Sequence, residues 1–316
     1  MVAIPTLLRR PRTPLAPTPA PAAPVTPPAP AEAPGPAVFT LPAIDGVPLG
    51  ARHYPPVGAP RGAVLIVGAM GVPQAFYAPL ATWLAAGGHH VLTFDFRGMG
   101  ASRTGPLRDV DADIVTWARL DTTAALRALQ DRAGDLPLIW IGHSLGGQIV
   151  PFVPDHRELA AVITIATGSG YWRENAPALR KKVWLLWWML APVATPLYGY
   201  FPGKALRMVG DLPRGVIRQW RRWCLDPDYA VGAEGGAVEA LFARVKTPIT
   251  AVSFTDDEMM SARNTDALHA SYVGAPVTHA RYAPADLGVK RIGHFGFFRS
   301  AMRASWERVL TPLLPR

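Results

Sequence analysis

Pro137-Leu138-Ile139-Trp140-Ile141-Gly142-His143-Ser144-Leu145-Gly146-Gly147 passes from a buried-strand pattern straight into sequence that suits a helix. The join is Gly-x-Ser-x-Gly, which after a strand and before a helix predicts a nucleophile elbow, a tight turn that lifts one serine hydroxyl clear of its surroundings. Gly142 and Gly146 are expected where a side chain would crowd the backbone crossing. The helix that follows is expected to aim free N–H groups and its positive dipole end at Ser144, where negative charge would need stabilising. The bland alternative is a glycine-rich turn that merely permits close packing. The strand before and the helix after favour the elbow.

Working outward, the same alternation recurs on both sides. Asp45-Gly46 supplies a hairpin turn between two edge strands. Ala63-Val64-Leu65-Ile66-Val67 is a continuous apolar run, as in a strand covered on both faces. A helix is expected near 75–87, a strand over Val91–Phe94, and a second helix over about 110–132. Leu159–Ile165 and Ile249–Phe254 read as further strands. Strands alternating with helices imply a mostly parallel central sheet with helices on both faces, hence an α/β fold. Pro151 is expected to kink the helix after Ser144 about two turns in.

Two regions depart from this rhythm. Residues 1–36 are rich in Pro, Ala and Thr and are expected to form a disordered or polyproline-like tail, leaving 37–316 as the globular domain. Arg9, Arg10 and Pro11 interrupt any apolar run there, which argues against a secretory signal. Between about 171 and 240 the alternation stops, and Trp172, Trp184, Trp187, Trp188, Trp220 and Trp223 accumulate. An insertion at this point would lie over the carboxyl ends of the strands, where open α/β sheets bind ligands, so a helical lid is expected. Val183–Phe201 carries no formal charge, but Pro192 and Pro196 are expected to break it, which favours an apolar lid over a membrane span. Arg180-Lys181-Lys182 and Arg218, Arg221 and Arg222 flank it. Solvated helix ends explain those charges most simply; transient contact with an anionic lipid surface is the second reading.

The 316 residues carry a formal charge of +9, yet the arginines are scattered and no nucleic-acid recognition module emerges, so no nucleic-acid partner is expected. Cys224 is the single cysteine, which excludes an internal disulfide and a multi-cysteine metal site and fits a reducing, cytoplasmic setting.

A serine hydroxyl is a poor nucleophile until a base takes its proton. His294 sits between glycines in Arg291-Ile292-Gly293-His294-Phe295-Gly296, on a loop before a final helix, and is the candidate base. His279 falls within a strand, His143 should point away from its serine neighbour, and His89 and His90 precede a strand at its far end, so all four read as structural. The acid that orients the imidazole is sought in Thr255-Asp256-Asp257-Glu258, at a strand's carboxyl end. Asp257 is preferred on spacing, Asp256 is the alternate and Asp286 a third candidate; part of the cluster could be a solvated turn.

Taken together, Gly71-Val72-Pro73-Gln74, Asp95-Phe96-Arg97-Gly98-Met99-Gly100-Ala101-Ser102, Gly142–Gly147, Phe254–Met260 and Gly293–Phe298 resemble the α/β-hydrolase superfamily. More specifically, they resemble a bacterial group near serine aminopeptidase-like and lysophospholipase-like sequences. The resemblance spans 63–300. It implies the chain order nucleophile, acid, histidine, which supports Asp257 and His294. It further implies that the backbone N–H groups of Leu145 and, by alignment, Met70 form an oxyanion hole. Many relatives carry His-Gly where this chain has Gly68-Ala69-Met70-Gly71; the donor is a backbone amide, so its side chain need not matter.

The expectation is therefore a serine hydrolase that cleaves a small-molecule carboxylic ester with a hydrophobic acyl group, peptides being less favoured. It would use Ser144, His294 and Asp257 and need no metal or organic cofactor. An acyltransferase with the same triad and a non-catalytic ligand-binding scaffold are the competing readings.

Overall fold

The computed structural model describes residues 35–315; the Pro/Ala-rich segment expected to be disordered lies outside them except for Gly35 and Pro36. Eight strands form one sheet: β1 (Ala37–Pro42), β2 (Pro48–Tyr54), β3 (Gly62–Val67), β4 (His89–Phe94), β5 (Leu138–His143), β6 (Leu159–Ile165) and, after the insertion, Ile249–Phe254 and Val277–Tyr282. The insertion contributes the two-residue strands β7 (Tyr200–Phe201) and β8 (Leu212–Pro213), which pair with each other, so the last two sheet strands are β9 and β10. The sheet order is β1-β2-β4-β3-β5-β6-β9-β10. From β4 to β10 every pairing is parallel, whereas β1–β2 and β2–β4 are antiparallel.

The apolar runs are two-faced, as a strand covered by helices requires. Along β3, Ala63, Leu65 and Val67 join one core layer while Val64 and Ile66 join the other. Along β5, Leu138 and Trp140 face the first layer, and Ile139 and Ile141 the second. The Asp45-Gly46 turn joins β1 to β2, with Gly46 at φ 84°. The helical stretch expected from about 110 begins at Ile114, because Asp113 caps it by accepting from Thr116 N–H at 2.7 Å.

Three local expectations change. The helix after Ser144 covers only Leu145–Gln148 before a 3-10 turn at Val150–Phe152, one turn instead of two. Gly146 and Gly147 propagate a helix poorly, and Pro151 cannot extend it. His89 and His90 lie within β4 and do not precede it. The prolines of the insertion do not end its first helix, which continues as Pro177–Leu185, a π turn at Leu186–Leu190, and Ala191–Tyr198. The π turn stands immediately before Pro192 and shifts the hydrogen-bond ladder where proline offers no N–H.

The insertion continues with helices Arg214–Leu225, Tyr229–Glu234 and Gly236–Arg244, four residues past its expected end. It packs onto the strand ends: a Cβ on Gly71, after β3, would come within 2.5 Å of the Gly210 nitrogen. Tyr229 O–H donates to Gln148 Oε1 at 2.8 Å. Cys224 is buried in this packing, which pushes its thiol well up.

Candidate active site

Ser144 follows the last residue of β5 with φ 52° and ψ −114°, a backbone conformation that only glycine adopts without strain. The turn is held from several sides. Ser144 N–H donates to the Ile165 carbonyl at 3.1 Å, Thr167 Oγ1–H to the Ser144 carbonyl at 3.2 Å, and Trp140 Nε1–H to the Gly146 carbonyl at 2.9 Å. A Cβ on Gly142 would meet the Gly146 carbonyl at 2.5 Å, and one on Gly146 would overlap the Val67 carbonyl oxygen. The glycines are therefore where the crossing needs them. Ser144 is half-buried, between a closed core and the strand ends.

The loops after β9 and β10 meet through three successive carboxylates. Asp256 Oδ2 accepts from Ile292 N–H at 2.8 Å, and Glu258 Oε2 from His294 N–H at 3.2 Å. Asp257 lies against His294 Nδ1, with its oxygens at 2.9 and 3.1 Å. Asp257 Oδ1 also accepts from the backbone N–H groups of Met259 and Met260 at 2.7 and 2.9 Å, which fixes the carboxylate plane. Both side chains of the pair are almost fully buried. Gly293 allows this approach with φ 61°, in a place where a Cβ would press on Glu258 Oε2. The cluster is thus no solvated turn. Asp286 instead accepts from Ala283 N–H in an exposed turn.

His143 was expected only to point away from Ser144; it does more. Tyr77 accepts from Ala69 N–H and donates its own O–H to His143 Nδ1, both at 2.8 Å. The acceptor at His143 Nε2 is the His294 carbonyl at 3.0 Å, so Nε2 carries the proton and Nδ1 accepts. Burial, and then the neighbouring His294, holds the His143 pKa well below the usual histidine value. One buried chain of hydrogen bonds thereby links the loop after β3, the elbow and the histidine loop. Nothing in the sequence marks Tyr77 for this part, since a tyrosine after a helix-like turn reads as core.

The loop after β3 is fastened a second time by Asp95 at the end of β4, which accepts from Gln74 N–H at 2.7 Å and Ala101 N–H at 2.9 Å. Among the described residues, neither Met70 N–H nor Leu145 N–H donates to a backbone or side-chain acceptor of the protein. Nor does a hydrogen bond join Ser144 Oγ to the His294 ring; His294 reaches the elbow through His143, ring to ring at 5.1 Å. A cavity of about 1020 Å³ between Pro151–His156 and Gly236–Arg244 includes none of Ser144, Asp257 and His294 in its walls, so it takes no part in this constellation.

The family model described as serine aminopeptidase, S33, matches residues 58–204, from before β3 to beyond β7 and through the elbow. The chain has the α/β-hydrolase fold. A search of curated proteins gives no match. Solved α/β hydrolases share the fold at low identity. A monoglyceride lipase from Saccharomyces cerevisiae, solved as a soluble variant with a substrate analogue, is 16% identical, covers 92% of this chain and 100% of its own, and superposes with a TM-score of 0.62. An esterase from Pyrococcus furiosus is 14% identical over 88% of this chain and 89% of its own, at a TM-score of 0.57. A carboxyl esterase from Bacillus coagulans, solved with glycerol, is 18% identical over 78% and 90%, at 0.55.

Proposed function

We propose that this chain, with its α/β-hydrolase fold, is a serine hydrolase cleaving carboxylic esters with a hydrophobic acyl group. The single observation that carries the reading is the buried pairing of His294 Nδ1 with Asp257, on a loop tied through His143 to the turn that carries the strained Ser144. With Nδ1–H donated to Asp257, Nε2 is the free acceptor for the serine proton. Ser144 Oγ attacks the ester carbonyl as Nε2 takes its proton, and the pair closes once substrate is bound. The carbonyl oxygen becomes an oxyanion between the N–H groups of Met70 and Leu145. His294 Nε2–H then protonates the departing alcohol, leaving an acyl-serine. Water, activated by the same nitrogen, attacks the acyl carbon, releases the carboxylic acid and restores Ser144.

The apolar insertion over the strand ends, acting as a lid, supports a hydrophobic acyl group. That the solved neighbours include esterases and a lipase supports an ester over an amide. The single buried cysteine fits the cytoplasmic setting.

The test is turnover of p-nitrophenyl esters of graded chain length, together with labelling by a fluorophosphonate. Wild-type protein is expected to turn over and to label at Ser144. Ser144→Ala should lose roughly 10⁴-fold or more of kcat with an unchanged circular-dichroism spectrum. An unlabelled wild-type serine would point to a scaffold without catalysis and end the proposal.

A further inference from the structure

Ten large apolar side chains are exposed among the described residues, and seven of them lie on the one helical segment from Pro177 to Tyr198. Trp184, Trp188, Val193 and Leu197 recur at four- to five-residue spacings, with Leu185 and Met189 next to the first two, which places them on a single stripe. The stripe is not marginal: Leu197 is 75% exposed and Val193 65%. The opposite face, with Val183, Leu186, Trp187, Ala191 and Thr195, is buried in the protein. Twenty-two helical residues make this ridge roughly 30 Å long.

At its amino-terminal end the ridge meets positive charge. Arg173, Arg180, Lys181 and Lys182 are exposed, and none pairs with a carboxylate among the described residues. Arg173, Arg180 and Lys181 line one shallow groove with Trp172 and Trp184. The guanidinium of Arg173 stands 5.2 Å from the Trp172 ring, and Trp188 lies 5.0 Å from Trp172 and 6.1 Å from Trp184. Cations and indoles thus form one continuous surface.

We infer that this face docks the protein on the surface of an anionic phospholipid bilayer. The ridge would lie in the plane of the interface with the indoles at headgroup level and the cations on lipid phosphates. It does not enter deeper, because its other face is committed to the protein core and no described helix is long and apolar enough to cross a membrane. Charge favours lipid over a second copy of the chain, since each copy carries a formal +9 and the ridge itself offers no carboxylate to meet the cations. The docking also bears on the site: Ala176 N–H, just ahead of the ridge, donates to the Met259 carbonyl, and Ser261 Oγ–H donates to the Glu174 carbonyl, both beside Asp257. The inference concerns binding and stands whether or not Ser144 is a nucleophile.

The experiment is co-sedimentation of the full chain with vesicles of phosphatidylcholine alone and of phosphatidylcholine mixed with phosphatidylglycerol. Wild type should bind the mixed vesicles far more tightly than the neutral ones, with affinity falling as salt rises. Arg180→Gln with Lys181→Gln and Lys182→Gln should weaken binding to the mixed vesicles by about 100-fold. Val193→Glu with Leu197→Glu should abolish it, with the circular-dichroism spectrum of wild type. Three outcomes would overturn the inference: no binding of wild type, variants that bind like wild type, or a lipid-free dimer lost in the Glu variant without any vesicle binding. The last would assign the ridge to contact between copies of the chain.

Discussion

Asp256, Asp257 and Glu258 are neighbours in the chain, yet each carboxylate takes a different donor from the loop 292–294, and only Asp257 meets the imidazole. Replacing Asp257 by Asn keeps the shape but offers an amide donor toward Nδ1, which favours the wrong tautomer of His294. We expect about a 10⁴-fold loss of kcat, by analogy with the buried acid of serine proteases. Asp256→Asn keeps an oxygen for Ile292 N–H and should stay within about tenfold of wild type. Equal losses in the two variants, measured on a p-nitrophenyl ester, would count against the assignment. At this scale the sequence was legible where chemistry has a pattern. Ser144 stood out between its glycines, and the strand ending at Phe254 pointed to Asp257 ahead of Asp256. Tyr77, Glu258 and the second use of His143 were not legible, because their partners lie far away in sequence and no local spacing encodes them.

The elbow works as an element because three backbones cross where Gly142 and Gly146 stand. Gly146→Ala would place a methyl group on the Val67 carbonyl, and the strand cannot move without dragging the sheet with it. Overpacking of this kind costs about 1–3 kcal/mol. We expect a lower urea midpoint together with reduced labelling of Ser144; an unchanged midpoint would mean that the crossing is looser than described. Strands were legible as elements, because apolar runs covered on both faces are unambiguous when turn residues bound them. The π turns at Trp117–Thr122 and Leu186–Leu190 were not. They answer to tertiary packing and, in the second case, to Pro192, and sequence periodicity averages over both. The same blindness made Pro192 and Pro196 look like helix breakers.

For the molecule as a whole, burial of histidine sets the response to acid. Six of the eight histidines, among them His143, His269 and His53, have pKa values lowered in the fold, chiefly by desolvation; for His269 and His53 the value is about 4. Such groups favour the folded state fully above the unfolded value near 6.5 and lose that contribution as pH falls below it. His269, almost fully buried, alone accounts for about 2 kcal/mol between pH 8 and pH 5. Asp121, raised to about 6 by burial beside Arg97, works in the opposite sense below pH 6, and six histidines outweigh it. The urea midpoint should therefore drop steeply between pH 7 and pH 5; a flat profile would mean that the histidines charge without cost.

The positive φ at Ser144 reaches beyond the proposed catalysis. A glycine would occupy that geometry at ease, so a Ser144→Gly chain should outlast the wild type in denaturant by about 1 kcal/mol, once the extra freedom of its unfolded form is subtracted. Heat tolerance and turnover then pull the same position in opposite directions. A selection that rewarded survival alone would discard the hydroxyl first.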